Sequence, residues 1–276
     1  MSLTKRALWI IERNLDRELS LTGLAEACGV SSCHLSHAFA QATGRPLMDY
    51  LRARRLSLAA EALASGAPDI LDLALATGYG SHEAFSRAFK GRLGETPEAV
   101  RRRGSVDGLP ITLPLDMTDA APRALEPPRI EEVGELCLAC LRARLSLGAL
   151  QGIPAMWQRF MTLYPLVETR GGEIPLGLSS PIEGDGSFDY GCAVEIGSAS
   201  GLPKELTVLR LPPRRYAVFR HEGHVSTLPG SYAAIWNEVL PTRGWTTPEA
   251  YTLERHDPSF DPATGEGGVS IWAPIV

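Results

Sequence analysis

The chain has 276 residues, about the length of two ordinary domains, and its 44% hydrophobic and 21% charged composition excludes a disordered or fibrous chain. The net charge of −5 would argue against a nucleic-acid partner if it were evenly spread, but residues 1–104 hold 14 Lys and Arg against 11 Asp and Glu, net +3, while residues 105–276 hold 13 against 21, net −8. A basic module joined to an acidic one is therefore expected, and whole-chain charge is the wrong statistic for judging partners. The first twenty residues are charged at every turn and carry no apolar stretch, so neither a leader nor a membrane span is expected, and the odd count of five cysteines reads as reduced thiols of a cytoplasmic chain.

The first 104 residues read as all-α and contain an internal repeat. LAEACGVSSCHLSHAFAQATGRP (24–46) aligns with LALATGYGSHEAFSRAFKGRLGETP (73–97), with one residue inserted after Gly78. Each copy predicts a short helix, a glycine that ends it, a polar turn and a second helix with an apolar i, i+4 pair, which is helix–turn–helix geometry, with Ser31 and Ser81 placed to cap the second helices. In the first copy Leu35, Ala38 and Phe39 form the inner stripe and Ser32, Cys33, Ser36 and His37 the outer face; in the second, Phe85, Ala88 and Phe89 point inward and His82, Glu83, Ser86, Arg87 and Lys90 outward. Small hydroxyls and donors suit base edges and phosphates in a major groove; the alternative reading is the solvated face of an ordinary helical bundle. Two such helices joined by residues 49–65 could enter successive major-groove turns, about 34 Å apart. Of Arg52, Arg54 and Arg55, one or two are candidates for phosphate contact and another for pairing with Glu61 or Asp49. Arg101, Arg102 and Arg103 read as a solvated final turn.

Residues 5–103 resemble the double helix–turn–helix DNA-binding domain of AraC/XylS-type transcription regulators. SSCHLSHAFAQATGRPLMDYLRARRLSLA (31–59) and ILDLALATGYGSHEAFSRAFKGRLGETPEAVRR (70–102) carry the resemblance. It implies DNA contacts by position at Ser32, Cys33, Ser36, His37, His82, Glu83, Ser86 and Arg87. The family usually has Arg where this chain has His37, which implies a weaker or pH-sensitive contact there.

Residues 105–128 hold five prolines and no sustained period and are the expected linker. Residues 129–276 read as α+β in two strand–helix–strand–strand units: strand 137–145, helix 153–164 and strands 174–180 and 189–196, then strands within 207–223, helix 228–240 and strands 250–256 and 268–276. The helix-leading Pro154 and Pro229 lie 75 positions apart. Two such units should pair about a pseudo-two-fold axis and leave a concave seam suited to a small molecule. Cys137 and Cys140 fall on opposite faces of a strand, and His221 and His224 lack helical zinc spacing, so no metal or cofactor is expected.

RRYAVFRHEG, LPGSYAAIWNEVLPTRGW, YTLERHD and SIWAPIV carry a resemblance, over about residues 125–276, to the GyrI-like effector-binding domain. The resemblance implies a pocket of aromatics around a carboxylate, taking cationic or apolar aromatic ligands. By position it implies Glu254 as the carboxylate and Trp272 as an aromatic wall, with Trp157 and Tyr190 as further lining, while Ser270 stands where the family often has an acid. Glu254 also stands out by itself, being a carboxylate in an apolar strand that is costly to bury without a partner. Together these imply a cytoplasmic, nucleoid-associated, non-enzymatic transcription regulator that binds double-stranded DNA under small-molecule control, with RNA polymerase as a further partner and no membrane. The alternatives are a hydrolase of reactive small molecules or a protein-binding module in the C-terminal half.

Overall fold

The computed structural model describes residues 2–66, 69–115, 125–170, 174–258, 260–261 and 264–276. Seven helices fill the first half: α1 (Leu3–Arg13), α2 (Leu21–Cys28), α3 (Ser32–Thr43), α4 (Leu47–Ala64), α5 (Ile70–Ala76), α6 (His82–Leu93) and α7 (Pro97–Arg103). α2 and α3 form the first helix–turn–helix, α5 and α6 the second. The turn before α3 is fixed by Gly29, left-handed at φ 71°, a conformation only glycine adopts without strain, and by the Ser31 hydroxyl, which accepts from the His34 amide. Ser81 caps α6 in the same way through the Ala84 amide. Leu35, Ala38, Phe39, Phe85 and Phe89 are fully buried, as their spacing predicts, while Ala88 is only partly buried.

α4 joins the two units, and its arginines depart from expectation. Arg54 is buried and grips Glu12, with Nη2 donating at 2.9 Å and Nε at 3.0 Å, while Nη1 donates to the Thr112 carbonyl at 2.6 Å. Its partner is thus Glu12, neither Glu61 nor Asp49; Asp49 faces Arg92 at 3.4 Å. The same Glu12 accepts from the Tyr50 hydroxyl at 2.6 Å. Arg55 donates to the carbonyls of Leu15 and Arg17, and Arg52 is the exposed member of the three. Residues 105–115 lie along α4, with the Thr112 amide on the Ser57 hydroxyl at 2.9 Å and the Leu115 amide on the Tyr50 hydroxyl at 3.1 Å. Residues 116–124 of the expected linker lie outside the described residues.

The second half is an antiparallel sheet of β1 (Arg129–Val133), β2 (Leu136–Ser146), β3 (Leu176–Ser179), β4 (Ser187–Glu195), β5 (Thr207–Leu211), β6 (Arg214–His221), β7 (Thr252–His256) and β8 (Val269–Pro274), in the order β1-β6-β8-β7-β3-β4-β2-β5. α8 (Ile153–Leu163) and α9 (Leu228–Ala234) cover one face, and α9 runs on through a π-helical turn, Ile235–Val239. The order is symmetric about the β7–β3 pair, as the two repeats require. Each repeat also has a leading strand, β5 within the expected 207–223 and β1 not expected from the sequence, and the two are exchanged: β1 joins the second repeat at β6, and β5 joins the first at β2.

The exchange bends the sheet. Only two residues link β1 to β2, and two link β5 to β6, yet these strands stand first and seventh, eighth and second, in the order. Such a link reaches about 11 Å, whereas six strand spacings of a flat sheet span about 29 Å. The sheet therefore curls until its edges approach, and its inner face buries Leu138, Cys140, Leu178, Leu253 and Trp272 together with Leu211 and Tyr216 from the margins.

Candidate DNA-reading helices and ligand groove

At the two-fold, Gly177 of β3 is paired with Glu254 of β7 and Leu178 with Leu253. Leu178 and Leu253 are 75 positions apart, as are Pro154 and Pro229, and the same spacing relates Trp157 on α8 to Tyr232 on α9. The two repeats thus place equivalent aromatics on either side of one central carboxylate. Tyr232 donates to Glu254 Oε1 at 2.7 Å, Tyr190 donates to Oε2 at 3.3 Å, and the Trp157 indole donates to the Tyr190 oxygen at 3.0 Å. His256 stands edge-on to Trp157 at 5.1 Å. Burial pushes the Glu254 carboxyl up from its ordinary range, and the two phenols draw it back; no Lys or Arg among the described residues pairs with it. Both phenols are pushed well above their usual value by burial and the neighbouring carboxylate, so they stay protonated donors. The backbone at Gly177 must be bare: a Cβ there would lie 2.8 Å from the Tyr190 oxygen and 2.9 Å from Glu254 Oε2.

The structure brings Glu254, Tyr190 and Trp157 together but not Trp272. Trp272 is paired with Val218 and Leu253, and side chains alternate along a strand, so it points to the inner face while Ile271 shares the face of Glu254. There the Arg255 guanidinium lies over its ring at 4.7 Å. The member of this buried cluster missing from the sequence reading is Tyr232, and the 75-residue spacing to Trp157 was the signal that could have found it.

The two candidate reading helices differ sharply. On α6, Glu83, Arg87 and Lys90 are exposed, His82 faces Glu98 at 3.1 Å, and Ser86 is partly buried. Arg101, Arg102 and Arg103 are exposed at the end of α7, and Arg103 is held by Glu95 at 2.7 Å. On α3 the expected outer face lies against the C-terminal half. Ser36 and His37 are 7% and 5% exposed, and Ser32 and Cys33 line a cleft of about 580 Å³ between the halves. The His37 ring packs on Trp236 at 4.4 Å, and complete burial pushes its pKa down to about 3. Next to it, His34 Nε2 meets the Trp236 carbonyl at 2.8 Å. That carbonyl is free because of the π turn: the Leu240 amide bonds back to Ile235, and Pro241 has no amide to offer.

Residues 24–103 match the helix-turn-helix domain family, and residues 126–276 match the GyrI-like small molecule binding domain family. The chain belongs to the GyrI-like family. It combines this domain with an AraC-type helix-turn-helix domain. It is similar to the transcriptional regulator Rob of Salmonella typhimurium, 27% identical over 96% of this chain and 93% of that protein, and to the right origin-binding protein of Escherichia coli K12, 26% identical over the same shares. The regulatory protein SoxS of E. coli K12 is 37% identical over 34% of this chain and 87% of its own length. Among solved structures, SAV2435 bound to tetraphenylphosphonium aligns with 54% of this chain and 93% of its own, at 22% identity and a TM-score of 0.46. The GyrI-like chain is thus a DNA-binding transcription regulator with a small-molecule-binding domain. No helix among its described residues is long and apolar enough to cross a membrane.

Proposed function

We propose that α3 and α6 are the DNA-reading helices, that the buried Glu254 cluster between α8 and α9 opens to bind an aromatic cation, and that the bound cation sets how well the chain binds its operator. One observation carries the ligand assignment. Glu254 is a carboxylate held only by neutral phenols, with an indole behind them and no cationic side chain among the described residues to neutralise it. A ligand that brings a positive charge and a flat apolar face supplies the missing partner and stacks on the aromatics. Two phenols and an indole are the groups that hydrogen-bond around Glu254, with His256 meeting the cluster at the Trp157 ring, so the cluster reads as a sensor and not as a catalytic centre.

On the DNA side, the exposed Arg87 and Lys90 supply base and phosphate donors, and the chain works where promoters and RNA polymerase are, in the cytoplasm and on the nucleoid. Rhodamine 6G, an aromatic cation whose fluorescence anisotropy reports binding, tests the groove. Glu254→Gln keeps the shape and removes the charge, and it should weaken dye binding at least tenfold; equal binding would refute the assignment. Arg87→Ala should erase protection in genome-wide footprinting, and intact footprints would remove α6 from the DNA interface.

A further inference from the structure

α3 carries no Lys, Arg, Asp or Glu, so its outer face can be buried without stripping water from a charge, unlike the face of α6 with Glu83, Arg87 and Lys90. The C-terminal half uses this. Trp236 covers His37, and the Trp236 carbonyl holds His34. The Ser31 hydroxyl donates to the Thr247 carbonyl at 2.8 Å; Asn237 takes the Thr4 amide at 3.0 Å and donates to the Ala38 carbonyl at 3.1 Å. A recognition helix about 10–12 Å across fills a major groove about 12 Å wide. With α9 lying on its outer face, α3 cannot enter one.

The same cap is wired to the Glu254 cluster through one residue. The Tyr232 hydroxyl is on Glu254, and its ring stacks on Trp236 at 5.3 Å with an interplanar angle of 14°, while also facing His37 at 5.9 Å. From Glu254 to the reading face of α3 there are two side chains, Tyr232 and Trp236, both at least nine-tenths buried.

We infer that the chain is a self-inhibited regulator: in its closed arrangement α9 and its π turn mask α3, and an aromatic cation that takes the place of Tyr232 on Glu254 withdraws the support of Trp236 and frees α3 for DNA. The inference rests on the assignment of Glu254 as the ligand carboxylate. The cation binds the open arrangement better because there Glu254 no longer shares an oxygen with Tyr232, and that differential affinity is what a ligand needs to shift a population. By linkage, DNA that holds α3 open raises affinity for the cation by the same factor.

The test uses the full chain and three measurements. A duplex selected in vitro from a random library with the Trp236→Ala chain is bound to wild type, Trp236→Ala and Asn237→Ala, the last changing no aromatic core residue. Hydrogen exchange is followed across residues 32–43, and rhodamine 6G serves as the cation. Masking predicts that both variants bind the duplex at least tenfold more tightly than wild type, that the dye closes this gap for wild type and does little for Trp236→Ala, and that the dye speeds exchange in α3. Equal duplex affinity of wild type and Asn237→Ala, with α3 exchanging in wild type as fast as in the variant, would overturn the masking. Slower α3 exchange with bound dye would overturn the direction of control. If the dye does not bind wild type, the Glu254 assignment fails, and tighter duplex binding by Asn237→Ala would still establish the mask.

Discussion

Acid should open the chain, and His37 provides the handle. In the closed arrangement its imidazole is fully buried against Trp236 and titrates near 3; uncovered, it returns to the ordinary value of 6.5. The titratable groups that face it are His34 on its own helix, which lowers it further, and Tyr232 on α9, neutral throughout this range. The closed state therefore holds neutral His37 at no protonation cost above the open-state value, and it loses stability as pH falls below 6.5, levelling off near 3. Between about pH 7.5 and about pH 5.5 the open state gains about 1.4 kcal/mol from this residue alone, a tenfold shift in the closed-to-open ratio. Burial lowers His34 too, so it pushes in the same direction. The assay is an NMR titration of the histidine ring resonances in the full chain. The apparent midpoint of His37 reports the latch directly: a midpoint of about 5.5 corresponds to about nine closed molecules for each open one, and lower midpoints to stronger closure. In Trp236→Ala the midpoint should move back toward the ordinary imidazole value. A wild-type midpoint already at that value would show that α3 is not covered, and would refute the reasoning.

Two further outcomes follow from packing. Gly177→Ala drives a Cβ to 2.8 Å from the Tyr190 oxygen and 2.9 Å from Glu254 Oε2, so it should cost about 1–3 kcal/mol in urea unfolding and at least tenfold in rhodamine 6G affinity; an unchanged affinity would place the dye elsewhere. Arg54→Ala strands Glu12 and frees the Thr112 carbonyl. Since Glu12 keeps 25% of its side-chain exposure, the loss should be about 2–3 kcal/mol in urea unfolding, below that of a fully buried pair, with no change in the DNA sequence selected. A change in the selected sequence would return Arg54 to the DNA interface.

The repeats were legible because each is written as a period. Leu35 and Phe39, or Phe85 and Phe89, announce the inner face of a helix, and Pro154 with Pro229 fixes the spacing of the two sheet units. Glu254 was legible because a carboxylate in an apolar strand needs a reason. Trp272 was misplaced for want of register: without knowing that it lies opposite Leu253, nothing in the sequence says which face it takes. β1 escaped because RIEEV alternates no apolar face of its own and becomes a strand by pairing with β6. The covering of α3 was hidden for a chemical reason. Ser, Cys and His suit a DNA groove and a dry interface equally well, and the sequence of α3 says nothing of the surface that meets it, where Pro241 leaves the Trp236 carbonyl open for His34.

The exchange of leading strands has a consequence for how the molecule comes into being. The first repeat lacks its outer strand until β5 has been made, and β1 has nothing to pair with until β6 follows, some eighty residues later. Neither repeat can be completed alone, so the sensor half must form as one late, non-local event, slow by the measure of its contact distances. The second helix–turn–helix, packed with the end of α4 in a core of its own, does not wait for it, whereas α1, α2 and α3 share their core with Phe219, Trp236 and Ile271 of the later half. Each newly made copy therefore completes the surroundings of α6 early, and those of α3 only when β8 is in place.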